Sequence, residues 1–369
     1  MRITVLAGGV GAARFLRGLK AEAPDAEITV IGNTGDDIHL FGLHVSPDLD
    51  TVMYTLGGGI SEEQGWGRAG ETFTVLEELA AYGAGPDWFS LGDRDFATHI
   101  ARTSMLGEGL PLSAATAALC RRWQPGVTLI PMSDDPIETH VVLQDDPVLL
   151  DGTGSPGSTG SPGSTGQRTV PQRTVPQRNV PQRTVPQQTV PQQTVPQETV
   201  PQQTVHFQEW WVRLHAAVPA ADIVVTGAPA AVPAPGVLEA IGAADAVLLP
   251  PSNPVVSIGT ILAVPGIAEA VSEKTVVGVS PIIGGAPVRG MADACLAAIG
   301  VPATAVAVAA HYGPQLLNGW LVDDQDKAAV DAPELTGITV RALPLYMTDL
   351  AATAVIARAA LDLAWELRG

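Results

Sequence analysis

The fold is decided by the first thirty-three residues, above all the run Met1-Arg2-Ile3-Thr4-Val5-Leu6-Ala7-Gly8-Gly9-Val10-Gly11-Ala12-Ala13-Arg14-Phe15-Leu16. A β-branched apolar stretch, Ile3–Ala7, runs into a glycine turn. Residues 12–20 then repeat apolar side chains at helical spacing, and Glu27–Ile31 is apolar and β-branched again. This strand, glycine turn, helix and second strand open a parallel α/β sheet. The glycines let backbone N–H groups approach an anion at a helix N-terminus, which makes Gly8, Gly9 and Gly11 candidate phosphate contacts; the plainer alternative is a tight structural turn. A dinucleotide fingerprint would want glycine where Arg14 stands and an acid after the second strand, where Asn33-Thr34 stands. A nicotinamide dehydrogenase is therefore disfavoured.

Working outward, short apolar runs recur at Ile223–Thr226, Ala246–Pro250, Thr275–Val279, Ala305–Ala309 and Ile338–Ala342, and each is read as a strand buried on both faces. Helical patterns occupy Thr72–Tyr82, Asp95–Ser104 and Ser113–Arg122, a helical subdomain over about 60–125. A final helix is expected over Leu350–Leu367 with Thr348 as its N-cap. The expectation is one α/β domain over 1–369, with a Rossmann-like, doubly wound, mostly parallel sheet. A β-hairpin joining Thr139–Leu143 to His206–Val212 carries an insert. That insert, 154–204, is GSPGST twice followed by QRTVP-like pentapeptides. Proline every fifth residue rules out a helix or a ladder strand, so the tract is read as disordered and extended, outside the fold. Closure entropy grows slowly with length, so a hairpin tip tolerates it.

The 369 residues carry 38 acidic and 20 basic side chains, a net charge of −18, which opposes nucleic-acid or anionic-membrane binding. Cys120 and Cys295 are too few for a disulfide framework. No apolar run approaches the roughly 20 residues that span a bilayer. A cytoplasmic protein is expected.

Chemistry in such a sheet belongs at the carboxyl ends of the strands. After the second strand stand Asn33, Thr34, Asp36 and Asp37, and soon Ser46-Pro47-Asp48-Leu49-Asp50-Thr51. On extended backbone Asp48 and Asp50 would face one side and could hold a divalent cation; in so acidic a chain a solvated turn is the alternative. Asp36-Asp37 reads as a cap for the next segment. Pro251-Ser252-Asn253-Pro254 and Ser280-Pro281-Ile282-Ile283-Gly284 follow later strands and supply hydroxyls, an amide and backbone N–H groups. Leu91-Gly92-Asp93-Arg94-Asp95 opens a helix, with Asp95 a possible cap.

These strings, with Pro131-Met132-Ser133-Asp134-Asp135-Pro136 and His206-Phe207-Gln208-Glu209, occur in the order found in the 2-phospho-L-lactate transferase family of coenzyme F420 biosynthesis, which the chain resembles over nearly its whole length. The resemblance implies a transferase of a substituted phosphate group. Such enzymes pass a phosphoenolpyruvate or 2-phospho-L-lactate moiety from its guanosine diphosphate adduct to the deazaflavin alcohol 7,8-didemethyl-8-hydroxy-5-deazariboflavin (Fo), with GMP released and Mg²⁺ required. It implies Asp50 and Asp48 as catalytic and metal residues, and Asp50, Arg94 and Asp93 toward Fo. Gly8, Gly9, Gly11, Asn33, Thr34, Ser252, Asn253 and Ser280 fall along the nucleotide. Its partners would be these small molecules and a second subunit in a homodimer. A non-catalytic nucleotide-sugar-binding regulator of the same fold is the alternative.

Overall fold

The computed structural model describes residues 1–144 and 203–368. β1 (Arg2–Ala7) leads through the glycine turn into α1 (Gly9–Glu22) and β2 (Glu27–Gly32). A small hairpin, β3 (Ile38–Leu40) and β4 (Leu43–Val45), precedes α2 (Pro47–Leu56). The expected helices follow as α3 (Thr74–Ala81), α4 (Asp93–Gly107) and α5 (Leu112–Trp123). Next come β5 (Thr128–Pro131), β6 (Glu138–Leu143), β7 (Thr204–His206) and β8 (Ala220–Thr226). The remainder alternates: α6 (Val237–Ala243), β9 (Ala246–Leu249), α7 (Thr260–Leu262), α8 (Ile267–Ser272) and β10 (Val276–Val279). A hairpin, β11 (Ile282–Ile283) and β12 (Ala286–Pro287), leads to α9 (Ala292–Ala298), α10 (Ala305–Tyr312), β13 (Gly319–Val322), β14 (Thr339–Ala342) and α11 (Leu350–Leu367).

Seven strands form one Rossmann-like sheet in the order β14-β13-β10-β9-β1-β2-β5, every pairing parallel. Its central strands are buried along their length, because helices cover both faces. On one face α1 and α11 pack so closely that a Cβ on Gly18 would lie 2.6 Å from the Thr353 carbonyl carbon. The other face is filled by residues such as Val247, Ile258, Val276 and Trp320. The direction of winding reverses at β1, between β2 and β9, and a crevice opens there beyond the strand ends.

Three expectations are corrected. Ile223–Thr226 belongs to β8, which pairs antiparallel with β6 in a separate three-stranded sheet β7-β6-β8. Its burial alternates along the strand, the mark of a one-sided sheet. Ala305–Ala309 is helical: Thr304 accepts a hydrogen bond from the Ala307 N–H at 3.1 Å, and alanine favours the helix that this cap starts. α11 is capped by Asp349, which accepts from Ala352 N–H at 2.8 Å, one residue beyond Thr348. Two sheet strands, Thr128–Pro131 and Gly319–Val322, were not anticipated.

β6 and β7 pair as a hairpin with His140 opposite His206. The expected strand His206–Val212 is corrected as well: β7 ends at His206, and Glu209–Arg213 is a helical turn that buries Trp210, whose Nε1 donates to the Val218 carbonyl at 2.8 Å. Leu143 N–H donates to the Gln203 carbonyl at 2.9 Å where the chain leaves and re-enters. The repeat tract lies outside the described residues apart from its last two, of which Thr204 opens β7. Among the described residues no helix is long and apolar enough to cross a membrane.

Candidate active site

A cavity of about 740 Å³ occupies the crevice at the switch point. One wall is made of strand ends. Gly8, Gly9 and Gly11 line it beside Pro251, Ser252, Asn253, Ser257 and Ser280. The fit is close. A Cβ on Gly8 would lie 2.5 Å from Ser257 Cβ and 2.8 Å from Asp48 Oδ2, and one on Gly11 would overlap the Pro251 carbonyl oxygen. Gly9 takes φ +71°, where glycine carries no penalty. Ser252 Oγ locks the two loops together, donating to the Gly8 carbonyl at 2.9 Å and accepting from Gly8 N–H at 3.4 Å. Asn253 Oδ1 accepts from Val255 and Val256 N–H at 2.9 and 3.2 Å. Ser280 Oγ donates to the Ile282 carbonyl at 2.8 Å. These side chains hold loops in shape. Gly8, the N-cap of α1, has no side chain to bond the first turn, and the Asp48 carboxylate reaches the Gly9 backbone there. The wall therefore offers backbone donors and a helix N-terminus to an anion.

Asn33 and Thr34 do not line the cavity. Asn33 is fully buried beneath it, donating to Asp48 Oδ2 at 2.9 Å and to the Val256 carbonyl at 3.2 Å. Its role is to orient Asp48.

The reading of Asp48 and Asp50 as neighbours on extended backbone is corrected. Ser46 and Pro47 start α2, and both acids sit in its first turn. Residues two apart on a helix point away from each other, so the carboxylates part company. Asp50 meets Arg102 of α4: Nη1 donates to Oδ2 at 3.0 Å, and Nη2 donates to Oδ1. Arg102 is 1% exposed. Both Asp50 oxygens are thereby committed to a buried, bidentate ion pair, which leaves little for a metal.

Asp48 turns instead toward Asp36. Burial, foremost, pushes the Asp48 carboxyl up to about 7, against the bond from Asn33. Asp36 is raised well above the carboxylate range by burial and then by the charges of Asp48 and Asp37, and its Oδ1 has no hydrogen-bond partner. Asp37 is engaged through one oxygen, Oδ2, which accepts from Ser46 Oγ at 2.7 Å and pairs with His44 Nε2 at 2.8 Å, while its Oδ1 is buried without a partner like that of Asp36. Among the described residues no group of three or more His, Cys, Asp or Glu is arranged to hold a metal by itself.

The opposite wall is helical, built by α2 and α4. Tyr54, Asp95 and His99 line it with Asp50. Asp95 lies inside α4 rather than capping it, since Gly92 is the N-cap. Burial, then the charges of Asp50 and Glu71, push its carboxyl up to about 7, opposed by Tyr54 and Arg68. Its Oδ1, the Tyr54 hydroxyl and His99 Nε2 are all buried without a hydrogen-bond partner. Burial also depresses His99 to about 4, so the imidazole is neutral. Arg102 Nη1 lies 3.3 Å from His99 Nδ1 and can only donate, which puts the ring proton on the unpartnered Nε2. Sequence patterns singled out none of Arg102, Tyr54 or the Asp36–Asp48 pairing.

Asp93 and Arg94 are not among the cavity-lining residues. Asp93 accepts from Thr72 Oγ1 at 2.6 Å and from Val75 N–H at 2.9 Å, holding the start of α3. Arg94 Nη1 donates to the Ala69 carbonyl at 3.3 Å.

The 2-phospho-L-lactate transferase (CofD) family model matches residues 3–342. Phosphoenolpyruvate transferases from Streptomyces griseus and Streptomyces avermitilis are 60% and 61% identical over 370 residues, covering 100% of this chain and 99–100% of theirs. One from Nocardia farcinica is 50% identical over 98% of this chain and 95% of its own. A crystal structure of a UPF0052 family member from Bacillus halodurans matches with a TM-score of 0.55 at 17% identity, over 98% of this chain and 99% of that one, and speaks to the fold alone. The chain belongs to the 2-phospho-L-lactate transferase family, transferases of coenzyme F420 biosynthesis.

Proposed function

We propose that the protein transfers a phosphoenolpyruvate moiety from its guanosine diphosphate adduct to the terminal ribityl hydroxyl of Fo, releasing GMP. The observation that carries this is that one cavity is lined both by the glycine turn at the N-terminus of α1 and by an unbonded carboxyl, hydroxyl and imidazole nitrogen. The first suits a diphosphate and the second an alcohol. The choice of enolpyruvyl over lactyl follows the names of the relatives.

In this reading the glycine turn Gly8–Gly11 holds the diphosphate, and Tyr54 and His99 orient the ribityl chain. Asp95 takes the proton of the attacking hydroxyl. The oxygen forms a bond to the phosphorus that bears the three-carbon acid, the bond from that phosphorus to the bridging oxygen breaks, and GMP departs with the electron pair. A phosphodiester remains. Asp50 fixes Arg102 and thereby His99, so its part is positioning. The group requires magnesium chemistry, and the donor set fits it. Asp36 and Asp48 are two buried carboxyls that resist ionising together, and Asp36 Oδ1 is unpartnered. Mg²⁺ is usually held by one or two carboxylates with substrate phosphates and water. When bound there it would offset charge on the diphosphate.

The test is purified protein with Fo, Mg²⁺ and each guanylylated acid, followed by mass analysis. The expected products are GMP and the enolpyruvyl phosphodiester of Fo. Tight guanosine diphosphate binding with no turnover of either donor would favour the regulator reading.

A further inference from the structure

Two arginines at the cavity have no part in the chemistry above. Arg14 stands on the second turn of α1, and Arg289 follows β12; both line the cavity. They converge on one spot beside Gly65. A Cβ placed on that glycine would lie 2.5 Å from Arg289 Nη1 and 3.4 Å from Arg14 Nη2, so the two nitrogens are separated by no more than the sum of those distances. Gly65 keeps the spot open, and its φ of +75° suits glycine. Arg289 Nη2 donates to the Gln64 carbonyl, which fixes its fork.

Neither guanidinium forms an ion pair with a carboxylate of the described residues. Two like charges set together repel, and the arrangement calls for an anion between them. Burial and the charge of Arg14 both lower Arg289 from its ordinary value, which is the mark of two guanidinium groups held near each other.

We infer that Arg14 and Arg289 form a fork that receives the carboxylate of the transferred three-carbon acid. The inference rests on the transfer reading above. The diphosphate already has the backbone donors of the glycine turn, while a planar carboxylate matches the two-pronged geometry of guanidinium. Enolpyruvyl and lactyl groups share this carboxylate, so the fork selects for an acid rather than between the two.

The experiment compares wild type with Arg289→Met, Arg14→Met and Arg289→Lys, each checked for an unchanged thermal midpoint. Two readouts are kcat/KM with guanylylated phosphoenolpyruvate and Kd for GDP by calorimetry. Each Met variant should lose roughly ten- to hundredfold in kcat/KM, mainly through KM, as for a lost charge-assisted hydrogen bond. GDP affinity should move by less than about threefold, and Arg289→Lys should recover part of the loss. Equal losses for donor and GDP would assign the fork to the diphosphate and overturn the inference, as would an unchanged kcat/KM. If wild type turns over no donor, the transfer reading fails, and calorimetry tests the fork by itself. The guanylylated donor should then bind about tenfold more tightly than GDP, and Arg289→Met should erase that difference; no difference in wild type overturns the fork.

Discussion

Along the strand-end wall of the cavity, Ser252, Asn253 and Ser280 turn their polar atoms back onto loop backbone, whereas on the helical wall Tyr54, Asp95 and His99 keep polar atoms unbonded. The first arrangement is settled before any ligand arrives. The second is not: buried polar atoms without partners cost stability, and that cost persists only where the surrounding packing enforces it. A wall whose donors are backbone suits a constant group such as a diphosphate. A wall of unbonded side chains suits a group that must lose a proton.

Asp95→Asn attacks the contrast most directly. Turnover should fall by roughly 10²–10⁴, the range for loss of a general base, while Fo still binds. Asp95 acts as a base only when ionised, so wild-type kcat/KM should rise with pH through about 7, and the variant should lose that limb. Stability should move the other way. A carboxyl whose folded pKa is raised contributes stability below its unfolded value and loses it as pH climbs through about 7. The variant should therefore melt higher than wild type at pH 8 and not at pH 4. Retained turnover with an unaltered pH profile would remove Asp95 from the chemistry.

Asp50→Ala probes the one carboxylate on the helical wall that is fully paired. It leaves the buried Arg102 guanidinium uncompensated, at a cost of about 3–5 kcal/mol read from denaturant midpoints. A variant as stable as wild type would show that Asp50 is not held as described. On the other wall, Gly11→Ala drives a Cβ into the Pro251 carbonyl. GDP affinity should drop about tenfold or more while Fo affinity stays within about twofold, since the atoms nearest a Cβ on Gly11 all belong to Pro251 and none to Tyr54, Asp95 or His99. Equal losses for both ligands would merge the walls into one site. The smallest effect concerns the hairpin. Replacing residues 154–202 by a short turn should change kcat/KM by less than about twofold, because Leu143 and Gln203 already close the ladder. A tenfold loss would bring the repeats into catalysis.

The parallel sheet was legible because β1, β2, β9 and β10 are short apolar runs that end in glycine or proline turns. The misreading of Ala305–Ala309 shows the limit: a short apolar run has no period, and only the Thr304 cap distinguishes helix from strand. The glycine turn announced its place in the site. The acids did not, since Asp48 and Asp50 separate only once Ser46-Pro47 is seen as a helix start, a signal present in the sequence through the preference for proline in the first turn. Arg102 carries no local signal at all. It is defined by a partner fifty-two residues away on another helix.

The place of β1 in the sheet has a consequence for the birth of the protein. Ile3 stands opposite Ala246 of β9, so β1 waits for one of its two neighbours until synthesis has advanced the 243 residues (246 − 3) from one position to the other. At ribosomal rates of about 5–20 residues per second, that interval is on the order of 10–50 s. During it β1 and β2 present an apolar, unpaired edge, the kind of surface that invites aggregation. Each pentapeptide added between β6 and β7 lengthens that wait by roughly 0.25–1 s at the same rates.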